Sequence, residues 1–265
     1  MKKLFLFAAA LVFFVTASGP AKAQTTMTWT VDGSQREAIV FAPARTFIPI
    51  KHPLIFAFHG HGGNMSGTAL QMHLETLWPE AIVVYPQGLI SPRFTDPPGN
   101  ESGWQYEANQ VRGNVGNRDL HFFDAMLATM KQAYRVDEWR IYSTGFSSGG
   151  VFSYLLWAER GRTIAAIGEV AGQLWPSEHL TEPRAALLIA GSQDTTDPFA
   201  EQVRSMNDAL QADHTIDLSL PCGQYCSFFP STTLSPVKTF IHPDGHVYPP
   251  WAPEEIVKFF KTHRL

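Results

Sequence analysis

Short apolar runs alternate with stretches of helical periodicity along most of this chain. The apolar runs cover residues 54–58, 81–85, 139–143, 164–170, 185–190 and 238–241. Between or after them, apolar residues recur every three or four positions, as in amphipathic helices, within residues 119–134, 148–159, 199–211 and 253–262. Strands buried on both faces and separated by such helices form a mostly parallel sheet with helices on both sides. The chain is therefore predicted to be an α/β protein.

The first strands are predicted to pair differently from the rest. Residues 26–42 contain two β-rich runs on either side of Asp32-Gly33-Ser34, which is typical of an antiparallel hairpin. Two segments, residues 87–117 and 215–236, do not fit the alternation that follows. Because no repeat, charge run or low-complexity tract marks a linker, residues 24–265 are predicted to form a single domain.

The N-terminal residues have the three parts of an export signal. Lys2 and Lys3 precede an apolar run at residues 4–15, and Ala21-Lys22-Ala23 forms a small-residue cleavage site. An uncleaved anchor is the alternative, but the run is short for a bilayer span of about 20 residues. Residues 1–23 are therefore predicted to be a signal peptide, and the mature protein to be secreted or periplasmic with no stable membrane insertion.

Charge and cysteine content restrict the partners and the redox state. Loss of the three signal-peptide lysines would move the net charge from −4 to −7, which argues against nucleic acid as a partner. The two cysteines, Cys222 and Cys226, lie close together in a chain predicted to be exported, so we expect one local disulfide. A metal-binding pair is the alternative, but no second Cys/His pair with zinc-site spacing lies nearby.

A motif for nucleophilic catalysis lies between a predicted strand and a predicted helix. Gly145-Phe146-Ser147-Ser148-Gly149 matches Gly-x-Ser-x-Gly and follows the apolar run at residues 139–143. Its glycines leave room for a tight turn that projects the serine hydroxyl above the sheet, as in α/β-hydrolases. Ser147 is therefore the predicted nucleophile; Ser148 is the rival, but it lacks a glycine two residues before it.

A serine hydroxyl needs a base to remove its proton and an acid to orient that base. In this fold the acid and then the histidine follow the serine along the chain. Asp194 comes just after the run at residues 185–190, and Asp197 is its competitor three residues on. His246 precedes the last helix and is favoured over His242, which stands at a strand end. The predicted triad is Ser147, Asp194 and His246.

Backbone N–H groups must also bind the negative oxygen that develops on an attacked carbonyl. The segment His59-Gly60-His61-Gly62-Gly63 follows the strand at residues 54–58, where such folds place an oxyanion loop. The predicted donors are the backbone N–H groups of His61 and Ser148. His59 and His61 also have the spacing of a metal pair, but no further ligands follow them closely. No metal and no cofactor are predicted.

With these motifs placed, the chain resembles the extracellular esterases grouped with feruloyl esterases, acetylxylan esterases and polyhydroxybutyrate depolymerases. The resemblance runs from about Pro53 to His246 and rests on segments that include His59-Gly-His-Gly-Gly, Tyr85-Pro-Gln-Gly, Gly103-Trp104-Gln, Asn117-Arg-Asp119-Leu, the segment from Val136 through Ser147, and Gly245-His246. It implies an α/β-hydrolase fold, the triad named above, and ester hydrolysis through an acyl-enzyme.

The implied substrate is a carboxylic ester that is polymeric in some members of the family. Candidates are feruloyl or acetyl esters of plant polysaccharide and polyhydroxyalkanoate-type polyesters. Trp104, with Tyr106, and Trp175 are candidates for an aromatic wall that would bind a feruloyl ring or a sugar. Packing in the core is the alternative for Trp104 and for Trp175. The alternatives are a secreted serine peptidase of the same fold and a carbohydrate-binding protein that has lost catalysis.

Overall fold

The computed structural model describes residues 23–43, 50–93 and 96–265. The predicted signal peptide at residues 1–23 lies outside the described residues except for Ala23, which begins the first strand. The main sheet has ten strands: β1 (Ala23–Val31), β2 (Ser34–Ala42), β3 (His52–Phe58), β4 (Ile82–Pro86), β7 (Val136–Phe146), β8 (Ala166–Val170), β9 (Ala185–Gly191), β10 (Leu220–Gly223), β11 (Cys226–Phe229) and β12 (Val237–His242). A small second sheet pairs β5 (Leu89–Ile90) with β6 (Ser102–Gly103).

The strands of the main sheet lie in the order β1-β2-β4-β3-β7-β8-β9-β12-β11-β10. The six central strands, β4, β3, β7, β8, β9 and β12, are parallel to one another. The hairpin β1–β2 continues the sheet antiparallel at one edge, and β11 and β10 do so at the other. The predicted α/β architecture with an antiparallel N-terminal hairpin is therefore confirmed.

Helices cover both faces of the sheet, because both faces of its central strands are apolar. The helices are α1 (Met65–Met72), α2 (Leu74–Leu77), α3 (Arg118–Ala133), α4 (Ser148–Arg160), α5 (Phe199–Ala212) and α6 (Ala252–Lys261), with a 3₁₀ turn at Arg112–Asn114. Side chains of α3, α4 and α5 pack on one face and those of α1, α2 and α6 on the other. Along β3, Phe56 and Phe58 face the first cluster while Ile55 and Ala57 face the second, as the two-residue period of a strand requires.

The structure adds regular elements where periodicity did not indicate them, and two of these bear on the predictions. The first is α1, whose N-cap Asn64 accepts a hydrogen bond from the Gly67 N–H at 2.8 Å. The second is the hairpin β10–β11 within residues 215–236, where Cys222 and Cys226 form the predicted disulfide. The described residues contain no helix that is long and apolar enough to cross a membrane.

Candidate active site

Ser147 occupies a strained turn between β7 and α4. Its backbone has φ 53° and ψ −117°, a conformation that non-glycine residues rarely adopt and that costs on the order of 1–3 kcal/mol. The flanking glycines allow the close approach that the turn needs. A Cβ on Gly145 would lie 2.3 Å from the Gly149 carbonyl, and one on Gly149 would lie 2.2 Å from the Phe58 oxygen. The Gly-x-Ser-x-Gly motif therefore reflects a steric requirement of this turn.

Asp194 and His246 meet across the turns that follow β9 and β12. The Nδ1 atom of His246 lies 2.7 Å from Asp194 Oδ2, and the Asp194 side chain is fully buried. Three more donors reach this carboxylate: the backbone N–H groups of Thr196 at 2.8 Å and Asp197 at 3.1 Å, and Gln202 Nε2 at 2.9 Å. The arrangement fixes the histidine ring and leaves its Nε2 atom to face another group.

The histidine loop packs closely on the end of β9. A Cβ on Gly191 would lie 2.2 Å from the Gly245 carbonyl oxygen, so the absence of a side chain lets the two segments touch. The ring of Phe146, the residue before Ser147, lies 5.1 Å from the His246 ring. Ser147 and His246 line the same cavity.

Asp197 has a different set of contacts. Arg93 Nη2 donates to Oδ1 at 3.0 Å and to Oδ2 at 2.9 Å, and Gln173 Nε2 donates to Oδ1 at 3.1 Å. The Ser147 hydroxyl lies 3.5 Å from Asp197 Oδ2. At 3.5 Å this contact is longer than an ordinary O–H···O hydrogen bond, and Ser147 Oγ makes no shorter one within the described residues.

The two predicted oxyanion donors belong to segments that adjoin Ser147. Ser148 is the first residue of α4, and Gly60, which precedes His61, approaches the elbow so closely that its Cβ would lie 3.5 Å from the Ser147 Cβ. Neither the His61 N–H nor the Ser148 N–H has an acceptor within the part of the chain that the structure describes. Both amides are therefore uncommitted within those residues, as the predicted role requires.

The side chains at these two positions serve the surrounding structure. The His61 ring places Nε2 3.1 Å from Asp96 Oδ2, and Ser148 Oγ accepts the Trp104 backbone N–H at 3.3 Å. Through these contacts, His61 and Ser148 are each held against the long loop before α3.

His59 holds the backbone of the loop at residues 59–63 in place. Its Nδ1 atom lies 2.7 Å from the Gly60 carbonyl oxygen, and its Nε2 atom accepts the Gly88 N–H at 2.9 Å. These contacts require the neutral ring with the proton on Nδ1, and burial lowers the pKa of His59 in agreement. Because both ring nitrogens are engaged with the backbone, His59 is not available to ligate a metal, and no cluster of three or more potential metal ligands exists within residues 23–43, 50–93 and 96–265.

A cavity of about 510 Å³ opens beside Ser147. Its wall is partly aromatic and partly polar, formed by Gly60, His61, Arg93, Tyr106, Phe146, Ser147, Gln173, Trp175, Pro176, Thr196, Asp197, Pro198, Glu201 and His246. The rings of Tyr106 and Trp175 are 4.3 Å apart and form the aromatic part expected for Trp175.

Trp104 does not line this cavity, so its expected place in the substrate wall is wrong. Only 1% of it is exposed. Its ring packs against Phe58 and Phe152 at centroid distances of 5.0 and 5.5 Å, and its indole N–H donates to the His59 carbonyl at 2.9 Å. The loop turns this residue into the core because its ring fills space between β3 and α4, while Tyr106, two residues on, faces the cavity.

The sequence did not single out Arg93 or Gln173 as site residues. Gln173 follows β8 at the carboxyl edge of the sheet, where ligand-binding residues of α/β folds lie, and that position was the available signal. Arg93 lies in a loop 104 positions from its partner Asp197, and nothing local indicated the pair. His242, the alternative base, is buried, with its Nδ1 atom accepting the Asp244 N–H at 3.3 Å, and it is absent from the cavity wall.

Known proteins with sequences similar to this chain include feruloyl esterases. No family model matches the chain. It is 28% identical over 184 residues to the probable feruloyl esterase C of Aspergillus oryzae, a match that covers 69% of this chain and 64% of that protein. It is 30% identical over 165 residues to the probable feruloyl esterase C of Aspergillus clavatus, covering 62% and 56%. The chain therefore spans about three fifths of the length of these curated relatives.

Solved structures share the fold at lower identity. The acetyl xylan esterase from Aspergillus awamori superposes with a TM-score of 0.65 and 13% identity over 89% of this chain and 99% of that one. The sheet order and the strained turn after β7 define the chain as an α/β-hydrolase. Its curated relatives include feruloyl esterases and a bifunctional acetylxylan esterase/xylanase, which confirms the resemblance that the motifs indicated.

Proposed function

We propose that this protein is a serine esterase in which Ser147 is the nucleophile, His246 the base and Asp194 the acid that orients the base. The observation that carries the proposal is the 2.7 Å contact between His246 Nδ1 and a fully buried Asp194, because His246 lines the same cavity as Ser147. A carboxylate on Nδ1 holds the ring in the tautomer whose Nε2 accepts a proton.

The proposed reaction begins when Ser147 Oγ turns from Asp197 to His246. The hydroxyl attacks the ester carbonyl as His246 Nε2 takes its proton, and the N–H groups of His61 and Ser148 bind the oxyanion. Collapse of the intermediate transfers the proton from His246 to the leaving alcohol and leaves an acyl-enzyme on Ser147. Water activated by His246 then releases the acid.

The proposed substrates are carboxylic esters of the kinds that its relatives' names indicate. Feruloyl and acetyl esters of polysaccharide fit the Tyr106–Trp175 pair, whose rings lie 4.3 Å apart at an angle of 46° and offer apolar faces for a ring or a sugar. Polyhydroxyalkanoate-type polyesters are the second substrate class to compare. Export to the periplasm or the medium, as residues 1–23 predict, belongs to the same proposal.

The first experiment removes the nucleophile. Ser147→Ala is expected to lower kcat on p-nitrophenyl acetate by about 10³-fold or more, because members of a triad act as one unit. Ser177→Ala, at an exposed serine, is the matched control and should retain wild-type turnover. A fluorophosphonate should label Ser147, and peptide mapping should place the adduct there rather than on Ser148. Turnover of Ser147→Ala near that of the wild type would refute the proposal.

A matched pair of variants separates the two aspartates. Asp194→Asn should cost far more kcat than Asp197→Asn, because Asp194 accepts from His246 Nδ1 whereas Asp197 accepts from Arg93 and Gln173. The reverse order would assign the acid to Asp197. Activity that is abolished by a chelator and restored by metal would instead support a metallohydrolase.

Side-by-side incubation with feruloylated arabinoxylan, acetylated xylan, polyhydroxybutyrate and a chromogenic peptide amide would rank the substrates.

A further inference from the structure

Arg93, Gln173 and Asp197 form a polar cluster in the wall of the catalytic cavity. Asp197 accepts hydrogen bonds from both other side chains at 2.9–3.1 Å. The side chains of Arg93 and Asp197 are 10% and 5% exposed. Holding a charged pair in so dry a place costs desolvation free energy that pairing only partly offsets. A cluster of this kind beside a nucleophile is more typical of ligand recognition than of a stabilising contact.

The cluster retains hydrogen-bonding capacity of both kinds. Within the described part of the chain, Arg93 uses only Nη2 of its guanidinium, so Nε and Nη1 remain as donors. Gln173 uses only Nε2, so its Oε1 remains as an acceptor. Both residues line the cavity. Their three unused atoms are not fully buried, so a ligand can reach them. A ligand group that both donates and accepts would therefore satisfy this wall.

The charges around the cluster select against an anionic group. Asp197 is already present as a carboxylate beside Arg93, and Glu201 also lines the cavity. Asp194 lies directly behind, since its Oδ1 accepts the Asp197 N–H at 3.1 Å. A second carboxylate or a phosphate would meet these negative charges and the Gln173 Oε1 acceptor. A neutral hydroxyl would donate to Asp197 or Gln173 and accept from Arg93.

The position of the cluster indicates which half of an ester it meets. Asp197 belongs to the same turn as Asp194, which holds His246, and its Oδ2 lies 3.5 Å from Ser147 Oγ. In the proposed reaction the leaving alcohol must lie at His246 Nε2, because it receives its proton there. The alcohol half of the substrate is therefore the half nearest to Asp197.

We infer that Arg93, Gln173 and Asp197 are specificity-determining residues that bind a free hydroxyl on the alcohol half of the ester. This inference rests on the proposed esterase function. The substrate hydroxyl takes the place of Ser147 Oγ as the donor to Asp197 Oδ2. The displaced serine hydroxyl then turns to His246 Nε2, so that binding of a hydroxylated alcohol also aligns the nucleophile. Esters of polyhydroxylated alcohols satisfy this wall, whereas esters of simple alkanols leave the serine on Asp197.

Two matched ester pairs test the inference. The pair 2-hydroxyethyl butanoate and propyl butanoate differs only by a hydroxyl in place of a methyl group on the alcohol half. The pair methyl 3-hydroxybutanoate and methyl 3-methylbutanoate differs in the same way on the acyl half. For the alcohol pair, kcat/KM should favour the hydroxylated ester by about tenfold or more, the value of one hydrogen bond to a charged group. Part of the preference should appear in kcat, because the hydroxyl aligns Ser147.

The same ratio is then measured in variants of the cluster. Gln173→Met and Asp197→Asn should each bring the ratio for the alcohol pair close to one. The matched controls are Gln211→Met and Asp217→Asn, at exposed positions, and both should keep the wild-type ratio. Because both esters meet the same enzyme sample, partial unfolding of a variant lowers both rates and cancels in the ratio.

Each other outcome overturns a defined part of the reasoning. A wild-type ratio near one for the alcohol pair would overturn the inference. So would a ratio that Gln173→Met and Asp197→Asn leave unchanged. If Asp197→Asn then lowers Tm, the cluster only stabilises the contact between two loops. A preference confined to the acyl pair would overturn the placement on the alcohol half. Failure of the wild type on every ester, with no fluorophosphonate label on Ser147, would overturn the esterase proposal and this inference with it.

Discussion

Asp213 offers the sharpest quantitative test of the structure. It caps the C-terminus of α5 and is completely buried. Its Oδ1 accepts the Arg184 backbone N–H at 2.6 Å, while its Oδ2 has no partner within the described residues. Burial raises the pKa of Asp213 from 3.8 to about 8, although the Arg184 N–H and guanidinium lower it in part. The folded protein therefore holds a neutral carboxylic acid here at neutral pH.

The sign of the effect on stability follows from which state ionises first. Below the ordinary pKa of 3.8 the carboxyl is protonated in both the folded and the unfolded chain, so the raised pKa does not lower the free energy of unfolding there. Above that pH the unfolded chain releases the proton while the folded chain keeps it, so stability falls as the pH rises. The loss grows until the pH passes the folded pKa of about 8.

Asp213→Asn removes this cost with little change of shape, because the amide oxygen can still accept the Arg184 N–H. One pKa unit corresponds to about 1.36 kcal/mol. The gain in the free energy of unfolding should therefore be close to zero near pH 4, about 3 kcal/mol at pH 6, and at most about 5–6 kcal/mol above pH 8.

Urea unfolding of the wild type and Asp213→Asn at a series of pH values from 4 to 9 measures this gain. Asp217→Asn, at an exposed aspartate, is the control and should shift the free energy of unfolding by less than about 0.5 kcal/mol at every pH. A gain for Asp213→Asn that is the same at pH 4.5 and pH 8, or a loss at pH 8, would refute the reasoning.

Two further substitutions test buried polar groups near the site. Trp104→Phe removes the indole N–H that binds the His59 carbonyl and should lower the free energy of unfolding by about 2–3 kcal/mol without raising KM; a raised KM at unchanged stability would return Trp104 to the substrate wall. Glu169 is completely buried, and burial, together with the charges of Asp194 and Asp197, raises its pKa well above the ordinary value. Glu169→Gln should therefore be more stable than the wild type by a margin that widens above pH 4.5, and a margin that narrows with pH in parallel unfolding experiments would contradict a neutral Glu169.

Local sequence predicted the elements whose geometry is set locally. The turn at Ser147 could be predicted because its motif is contiguous: Gly145 is required by a contact with Gly149 inside the motif, although Gly149 is required by the distant end of β3 at Phe58. The parallel strands were identifiable because both of their faces are buried, which makes their apolar runs continuous. The hairpin β10–β11 was not, because its first strand is exposed along its whole length and carries no apolar period.

The roles of Asp194, Asp197 and Trp104 depend on contacts that sequence does not display. Asp194 and Asp197 share one turn, and only the approach of His246 from 52 positions away and of Arg93 from 104 positions away distinguishes them. Trp104 and Tyr106 are two residues apart in an irregular loop, where no period indicates which ring turns inward. Of the three rings that the sequence indicated as candidates, Tyr106 and Trp175 line the cavity and Trp104 does not.

The turn after β9 thus brings together two carboxylates with different partners. Asp194 is enclosed and holds His246, whereas Asp197 faces the cavity and meets the Ser147 hydroxyl. The two are coupled, because Asp194 Oδ1 accepts the Asp197 N–H and Gln202 Nε2 donates both to Asp194 Oδ2 and to the Asp197 carbonyl. An incoming group that binds Asp197 therefore acts on the same turn that holds His246. If the proposed roles hold, recognition of the alcohol and alignment of the nucleophile are linked through one short segment of chain.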